Sequence, residues 1–393
     1  MLKSHKLPPA LRDRSGRRAC RGGYTLTELL VVVTILVMLV ATTLPVARKV
    51  MEGNRTREAS RMLQAYLAMA KARAVQTGRP CGLFFPFPSP PLGVNDPSTS
   101  TWGPAQFSQY WPVRHVTQVF LAEIPPPYAG STTQTAATVV QVGSAHYLAL
   151  LTNRSATTPD TMEMQYLQSL LNPQGEVFLV RFDYKEPWYR FTYDPTGTFP
   201  SVFIYGGPVA GLNTPPGYGS TTIRGGYPFQ VLRAPRPVGN ALELPRGTCI
   251  DMTYSGIGST GRSFLGGVTI GSMAAGLTVL FTPQGGVDTM YINGVPSTPP
   301  ESSLFFLVGK TEKAGDPHDP SNPISGPWRP SVFANPDESN LADPDSLWVV
   351  VSRGNGQVLT TENLPLASAA SNYVTYLQSA RQAALAGQQM GGQ

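Results

Sequence analysis

The longest apolar stretch of the chain lies close to its N-terminus. Residues 29–47 carry no charged side chain, and a single acid, Glu28, stands at the beginning of the run. Because a helix rises about 1.5 Å per residue, this run would be roughly 29 Å long, which matches the hydrocarbon core of a bilayer. The pattern therefore predicts a transmembrane helix over residues 24–47. An acid beside such a helix is costly without a partner, so Glu28 is a functional candidate.

The apolar pattern then narrows to one side of a helix. Between residues 55 and 77 apolar residues recur at intervals of three and four, which predicts an amphipathic helix continuing the first over residues 48–78. Gly78 and Pro80 end this pattern. The stripe that we expect to pack on the rest of the protein consists of Ala59, Met62, Leu63, Tyr66, Leu67, Ala70 and Ala74.

From Cys81 onward, short apolar or alternating runs are separated by Pro and Gly, a pattern typical of strands and turns. It predicts a β-rich head over residues 79–365 with a short helix at 161–171. Residues 366–393 form an Ala-rich helical pattern followed by a Gly/Gln tail. The predicted fold class is therefore α+β, a long N-terminal helix packed on a large β-rich head. The predicted strands are 82–87, 110–121, 146–151, 176–184, 188–193, 201–205, 247–254, 277–282, 287–292, 304–308 and 347–352.

The composition agrees with a turn-rich β body, because the chain holds 38 Pro and 39 Gly and only 14% of its residues are charged. The net charge of +6 belongs to residues 1–23, which hold seven basic residues and one acid. A basic leader before an apolar span predicts a cytoplasmic N-terminus and an exported head, hence a single-pass inner-membrane protein with a periplasmic body. Nucleic-acid binding is not indicated, since it requires a basic face on the folded body.

Three cysteines leave one question open. Cys20 lies in the leader, whereas Cys81 and Cys249 lie in the predicted head. In an exported body these two could form a disulfide. Two separate buried thiols are the equally reasonable alternative, because spacing along the chain does not give their distance in space.

The segment around the leader's end resembles a known processing site. Gly23-Tyr24-Thr25-Leu26-Thr27-Glu28-Leu29-Leu30 is similar to the cleavage and methylation site of type IV prepilins and pseudopilins. The resemblance implies that a prepilin peptidase removes residues 1–23 and that Tyr24 is then methylated. It also implies that Glu28 pairs with the terminal amine of a neighbouring subunit and sets the assembly register, and that Pro45 kinks the helix.

Three further stretches resemble a subgroup of that class. Residues 65–85, AYLAMAKARAVQTGRPCGLFF, and the late strand pieces 280–292 and 347–360 are similar to the pseudopilin H and fimbrial T group. The implied function is a minor subunit of a type II secretion pseudopilus or a type IV pilus-like filament. The implied partners are the peptidase, other pilins and an inner-membrane assembly platform. Such heads are usually smaller, so insertions are expected here.

Candidate chemistry is sparse. Gly256–Gly261 matches a dinucleotide fingerprint in form, but no helical pattern follows it, so we interpret it as a turn. The histidines lack zinc spacing, and no enzyme activity and no cofactor are predicted. Acidic loops could supply oxygen ligands for Ca²⁺. The alternative interpretation is that these loops are solvated surface loops. The candidate acids are Asp316, Asp319, Asp337 and Asp343.

Two alternatives remain at this point. Trp188, Tyr189 and other aromatic residues could stack on a sugar or a partner protein, although filling a β core is their more ordinary role. The whole chain could instead be a membrane-anchored exported enzyme or binding module whose leader only resembles a prepilin.

Overall fold

The computed structural model describes residues 25–87, 115–171, 177–193, 203–205, 214–259, 262–264, 276–292, 295–297, 300–314, 333–364 and 373–390. Within these ranges only the backbone is described for residues 42–51, 193, 203, 262–263, 295, 373 and 388–390. The chain divides into two units, Met1–Glu52 and Gly53–Gln393.

Helix α1 (Leu26–Thr77) is the longest element. Pro45 lies inside it, and the helix continues on both sides of this residue. Among the described residues, which leave out the side chains of 42–51, no helix is both long enough and apolar enough to cross a membrane.

This finding corrects three of the predictions. The predicted transmembrane helix over 24–47 is therefore contradicted. The fold class built on it, a pilin-like head carried by a transmembrane helix half, and the single-pass inner-membrane location are contradicted with it.

In the part of the second unit that the structure describes, there are three antiparallel sheets of six strands each. Sheet A has the spatial order β10 (Arg236–Glu243), β3 (Gln118–Glu123), β1 (Cys81–Pro86), β13 (Gly276–Phe281), β14 (Val287–Ile292) and β15 (Val295–Pro296). Sheet B has the order β12 (Arg262–Ser263), β11 (Thr248–Ile257), β16 (Leu304–Lys310), β17 (Leu347–Val351) and β18 (Val358–Glu362), with β2 (His115–Val116) also pairing with β11.

The amphipathic part of α1 packs on sheets A and B as its stripe predicts. Five of the seven stripe residues are fully buried, and one hydrophobic cluster joins them to both sheets. The rings of Phe85 in sheet A and Phe306 in sheet B stack with centroids 5.0 Å apart inside this cluster. The buried stripe residues are Ala59, Leu63, Leu67, Ala70 and Ala74.

Both faces of sheet B are covered by other elements. Its central strands are therefore continuous apolar runs and do not alternate between apolar and polar residues. Along β16, Leu304 and Phe306 face the α1 cluster, whereas Phe305 and Leu307 face a second cluster. Helix α3 (Tyr373–Met390) supplies much of that second cluster. Its buried contributions are Tyr376, Leu377, Ala380 and Ala384.

Sheet C forms a separate lobe. Its order is β4 (Ala136–Val142), β5 (Ala145–Leu151), β8 (Phe203–Tyr205), β7 (Tyr189–Tyr193), β6 (Val177–Phe182) and β9 (Phe229–Leu232). Helix α2 (Thr161–Leu170) covers one face, and the lobe has a hydrophobic cluster of its own. All of these elements come from the chain between β3 and β10, which are neighbours in sheet A. We call residues 124–235 the inserted lobe.

Candidate assembly surface

Residues 29–40 of α1 expose apolar side chains on every side of the helix. Leu29 to Val40 include eleven large hydrophobic residues, each between 48% and 66% exposed. Successive residues of a helix point about 100° apart, so this run leaves no side of the helix covered. Thr34 is the polar residue within it, and its hydroxyl donates to the Leu30 carbonyl oxygen at 2.5 Å. We call residues 26–41 the apolar segment.

A capping box begins the apolar segment. The Thr25 backbone N–H and the Thr25 hydroxyl both donate to Glu28 Oε2 at 2.9 Å, and the Glu28 N–H donates to Thr25 Oγ1 at 3.2 Å. The backbone hydrogen bond from Thr25 and then that from its side chain lower the pKa of Glu28. The Thr-x-x-Glu spacing of Thr25 and Glu28 is the known signature of this cap, and none of the predictions from the sequence included it.

Glu28 therefore has a local role that the structure shows, whereas its predicted role in setting assembly register stays a prediction. Gly23 and Tyr24, the predicted processing site, lie outside the described residues. The side chain of Pro45 is also outside them, so its predicted kink stays a prediction.

Two lysines contact Asp343, one of the four acids predicted as possible Ca²⁺ ligands. Lys313 Nζ lies 2.6 Å from Asp343 Oδ2, and Lys310 Nζ lies 3.6 Å from the same oxygen. The Asp343 side chain is only 3% exposed, so two ammonium groups already surround the carboxylate that a cation would need. Asp337 is exposed, and Asp316 and Asp319 lie outside the described residues. The described residues contain no group of three or more His, Cys, Asp or Glu arranged to hold a metal ion.

A buried polar network holds the loop that contains Asp343. Asn340 Nδ2 donates to Asp251 Oδ2 at 3.0 Å, and Asn340 Oδ1 accepts the Lys310 N–H at 2.8 Å. Asn363 accepts from the Trp348 indole at 2.9 Å and donates to the Leu341 carbonyl at 2.7 Å. These side chains are almost fully buried, so the network satisfies internal polar groups and offers no access to a substrate.

The two cysteines of the second unit are free thiols. Cys81 lies in β1 of sheet A, and Cys249 lies in β11 of sheet B. Burial raises the pKa of both thiols. Of the two alternatives that the sequence left open, the structure shows the separate buried thiols and not the disulfide.

The glycine-rich match at residues 256–261 is a strand end and a turn as far as it is described. β11 ends at Ile257, and Gly258 has a φ of +67°. Thr260 and Gly261 lie outside the described residues. The next described residues form the strand β12 (Arg262–Ser263), whereas dinucleotide binding would require a helix N-terminus there.

No protein-family model, no curated protein and no solved structure matches this chain. The predicted membership of the prepilin and pseudopilin class, with its pseudopilin H and fimbrial T subgroup, is therefore contradicted, as is its assignment to type II secretion or a pilus. The resemblance rested on some 25 residues. Within them, Glu28 contacts its own helix terminus and the processing site is not described.

Proposed function

We propose that this protein is a structural subunit that joins other copies of itself through the apolar segment of α1. The supporting observation is the exposure of Leu29 to Val40 on all sides of the helix. A helix that is apolar all round requires burial, and burying the exposed half of one such side chain is worth about 1 kcal/mol. Eleven such residues in each copy favour a bundle of these helices.

The rest of the chain supports a structural and not an enzymatic role. The second unit has its own cores, and the polar network around Asn340 and Asn363 is closed to solvent. Contacts between identical helices that do not close into a ring add further copies one after another.

Cross-linking of the full-length chain in the producing cells tests this proposal. In a Cys20→Ser background, Leu36→Cys places a thiol in the apolar segment. Met162→Cys is the matched control, because Met162 is 79% exposed on α2 in the second unit. Oxidation should link the Leu36→Cys chains into dimers while the control chains stay single. Adding Val33→Asp should abolish the dimers, since a charge cannot be buried between helices without a partner.

One outcome of this experiment would overturn the proposal. If Leu36→Cys chains cross-link no more than Met162→Cys chains at the same expression level, the apolar segment does not bring copies together.

A further inference from the structure

Strand β18 (Val358–Glu362) is the last strand of sheet B, and its outer side meets no further strand among the described residues. On its inner side it pairs with β17 over its whole length without a register shift, and the Asn363 N–H just beyond it donates to the Ser346 carbonyl at 3.2 Å. Because the backbone groups of successive residues point to opposite sides of a strand, every second residue turns its N–H and C=O outward. We call these outward groups the open edge, and they belong to Val358, Thr360 and Glu362.

Most of the open edge has no hydrogen-bond partner. Gln64 Nε2 on α1 donates to the Val358 carbonyl at 3.1 Å, and that oxygen keeps a second lone pair for another donor. The outward backbone groups of Thr360 and Glu362 form no hydrogen bond within the part of the chain that the structure describes. The strand is half-exposed from residue 358 to 361 and exposed at Glu362, so a second strand can reach these groups.

The other sheet edges, as far as they are described, are short, irregular or covered. β10 contains Pro237 and shifts its register with β3, and β15 is two residues long and ends in Pro296. The loop 214–220 pairs with the outer side of β4, and Tyr128 pairs with that of β9. β12 and β2, at the opposite side of sheet B, have two residues each. Proteins protect edges in these ways because an open edge pairs with other chains. β18 has five residues, no Pro, Gly or Lys, and no bulge.

The two faces of β18 are held by helices, which leave its edge free. Val358 packs against the hydrophobic cluster that contains the stripe of α1, and the Thr360 hydroxyl donates to Gln64 Oε1 at 3.3 Å. On the other face, a Cβ on Gly387 of α3 would lie 3.5 Å from Thr361 Cγ2. The strand is therefore ordered before a partner arrives, which lowers the entropic cost of pairing.

We propose that β18 pairs with β18 of a second copy of this chain, antiparallel and about a two-fold axis at Thr360. The two Thr360 residues then stand opposite each other and exchange both backbone hydrogen bonds, while Val358 of each copy stands opposite Glu362 of the other. The edge is self-complementary in this arrangement, because each copy offers the donors that the other copy's acceptors need. The one charge of the strand, Glu362, meets Val358 and not a second Glu362, so like charges do not oppose each other.

This contact rests on the proposed function, since two five-residue strands bury far less than the roughly 1,000 Å² typical of a stable interface. Joining copies through the apolar segment raises the effective concentration of their second units, which makes a small additional contact effective. The pairing uses different residues from the apolar segment and can be tested separately.

Cysteine pairs in the full-length chain test the contact and its register, again in the Cys20→Ser background and in the producing cells. Thr360→Cys chains should be joined into dimers by a short thiol-specific cross-linker. Gln357→Cys is the matched control, because Gln357 is exposed and three residues away. The proposed pairing places the two Gln357 positions about 20 Å apart, so these chains should stay single. Co-expressed Val358→Cys and Glu362→Cys chains should link to each other and not to themselves.

A proline at the edge separates pairing from folding. Thr360→Pro removes an N–H that points outward, so the pairing with β17 and the Tm should be kept while the link between Val358→Cys and Glu362→Cys chains is lost. Thr361→Pro removes an N–H that points toward β17 and should lower the Tm. If Leu36→Cys chains link but Thr360→Cys chains link no more than Gln357→Cys chains, the strand pairing is overturned and the proposed function stands. If Leu36→Cys and Thr360→Cys chains both stay single, both are overturned.

Discussion

Glu123 and Arg236 stand directly opposite each other across β3 and β10, although the whole inserted lobe lies between them in sequence. The lobe therefore leaves and re-enters sheet A at neighbouring positions, as an enlarged hairpin loop would. Insertions with adjacent ends are the ones that a host domain tolerates, because the host's strand pairing does not depend on what the loop contains.

Removing the lobe should therefore leave the remainder folded. We expect a chain in which an Asn-Gly turn replaces residues 124–235 to unfold cooperatively and to keep the far-ultraviolet circular dichroism of sheets A and B. Deletion of 136–151 alone is the control, since it removes β4 and β5 and exposes the edge of β8. That smaller deletion should unfold or aggregate the lobe. If the chain without residues 136–151 unfolds cooperatively and the chain without residues 124–235 does not, the lobe is not a separable insertion.

Arg381 on α3 should be among the costliest residues to replace. Its guanidinium is fully buried, with Nη2 donating to the Tyr254 carbonyl at 2.6 Å and Nη1 to the Gly258 carbonyl at 2.8 Å. The Tyr254 carbonyl lies within the part of β11, between Asp251 and Gly256, where the register with β16 shifts, and Gly258 follows the end of the strand. Arg381→Met should lower the free energy of unfolding by about 3 kcal/mol in urea titrations. Arg224→Met, at an exposed site, should change it by less than about 0.5 kcal/mol.

Asp343 should matter for stability and not for calcium. Its removal takes from Lys313 the carboxylate 2.6 Å away, whereas Lys310 keeps Asp345 at 3.6 Å, so Asp343→Ala should cost about 3 kcal/mol. Asp337→Ala, on the exposed part of the same loop, should be nearly neutral. Millimolar Ca²⁺ should leave the Tm of the wild type unchanged in calorimetry. A clear rise in Tm with Ca²⁺ would instead support a calcium site in this loop.

The capping box should make the start of α1 sensitive to pH. The folded-state pKa of Glu28 lies below its ordinary value, so the cap contributes fully above that ordinary value and is lost as pH falls through the lowered one. Hydrogen exchange of the first helical turn should be faster in Glu28→Gln than in the wild type near neutral pH. The two proteins should converge in acid, and a difference that persists there would refute the assignment.

At Asp288 we expect stability to depend on pH in the opposite direction. Burial raises its pKa, and burial together with Asp288 raises the pKa of Tyr291 to about 12. An acid with a raised folded-state pKa loses stability as pH rises from its ordinary value through the raised one. Asp288→Asn should therefore unfold at a higher temperature than the wild type at neutral pH, with the difference vanishing in acid. An equal difference at both pH values would rule out a titration effect.

The sequence determined the elements whose pattern is local. The stripe from Ala59 to Ala74 is buried as its helical spacing predicts, and the predicted strands near β1, β5, β14 and β17 are present. These predictions succeeded because helical spacing and short apolar runs between Pro and Gly turns depend on neighbouring residues alone. The cap formed by Thr25 and Glu28 was equally local, and its signature was overlooked.

Tertiary structure decided what depends on distant partners. β10 contains Pro237 and Gly239, which disfavour a strand, and it forms because β3 pairs with it. Asp343, one of the supposed calcium ligands, meets two lysines that no spacing rule connects to it. The separation of Cys81 and Cys249 and the meeting of His146 with Tyr218 follow from sheet order. Side-chain proximity across strands is a property of the pairing register, which a linear pattern does not encode.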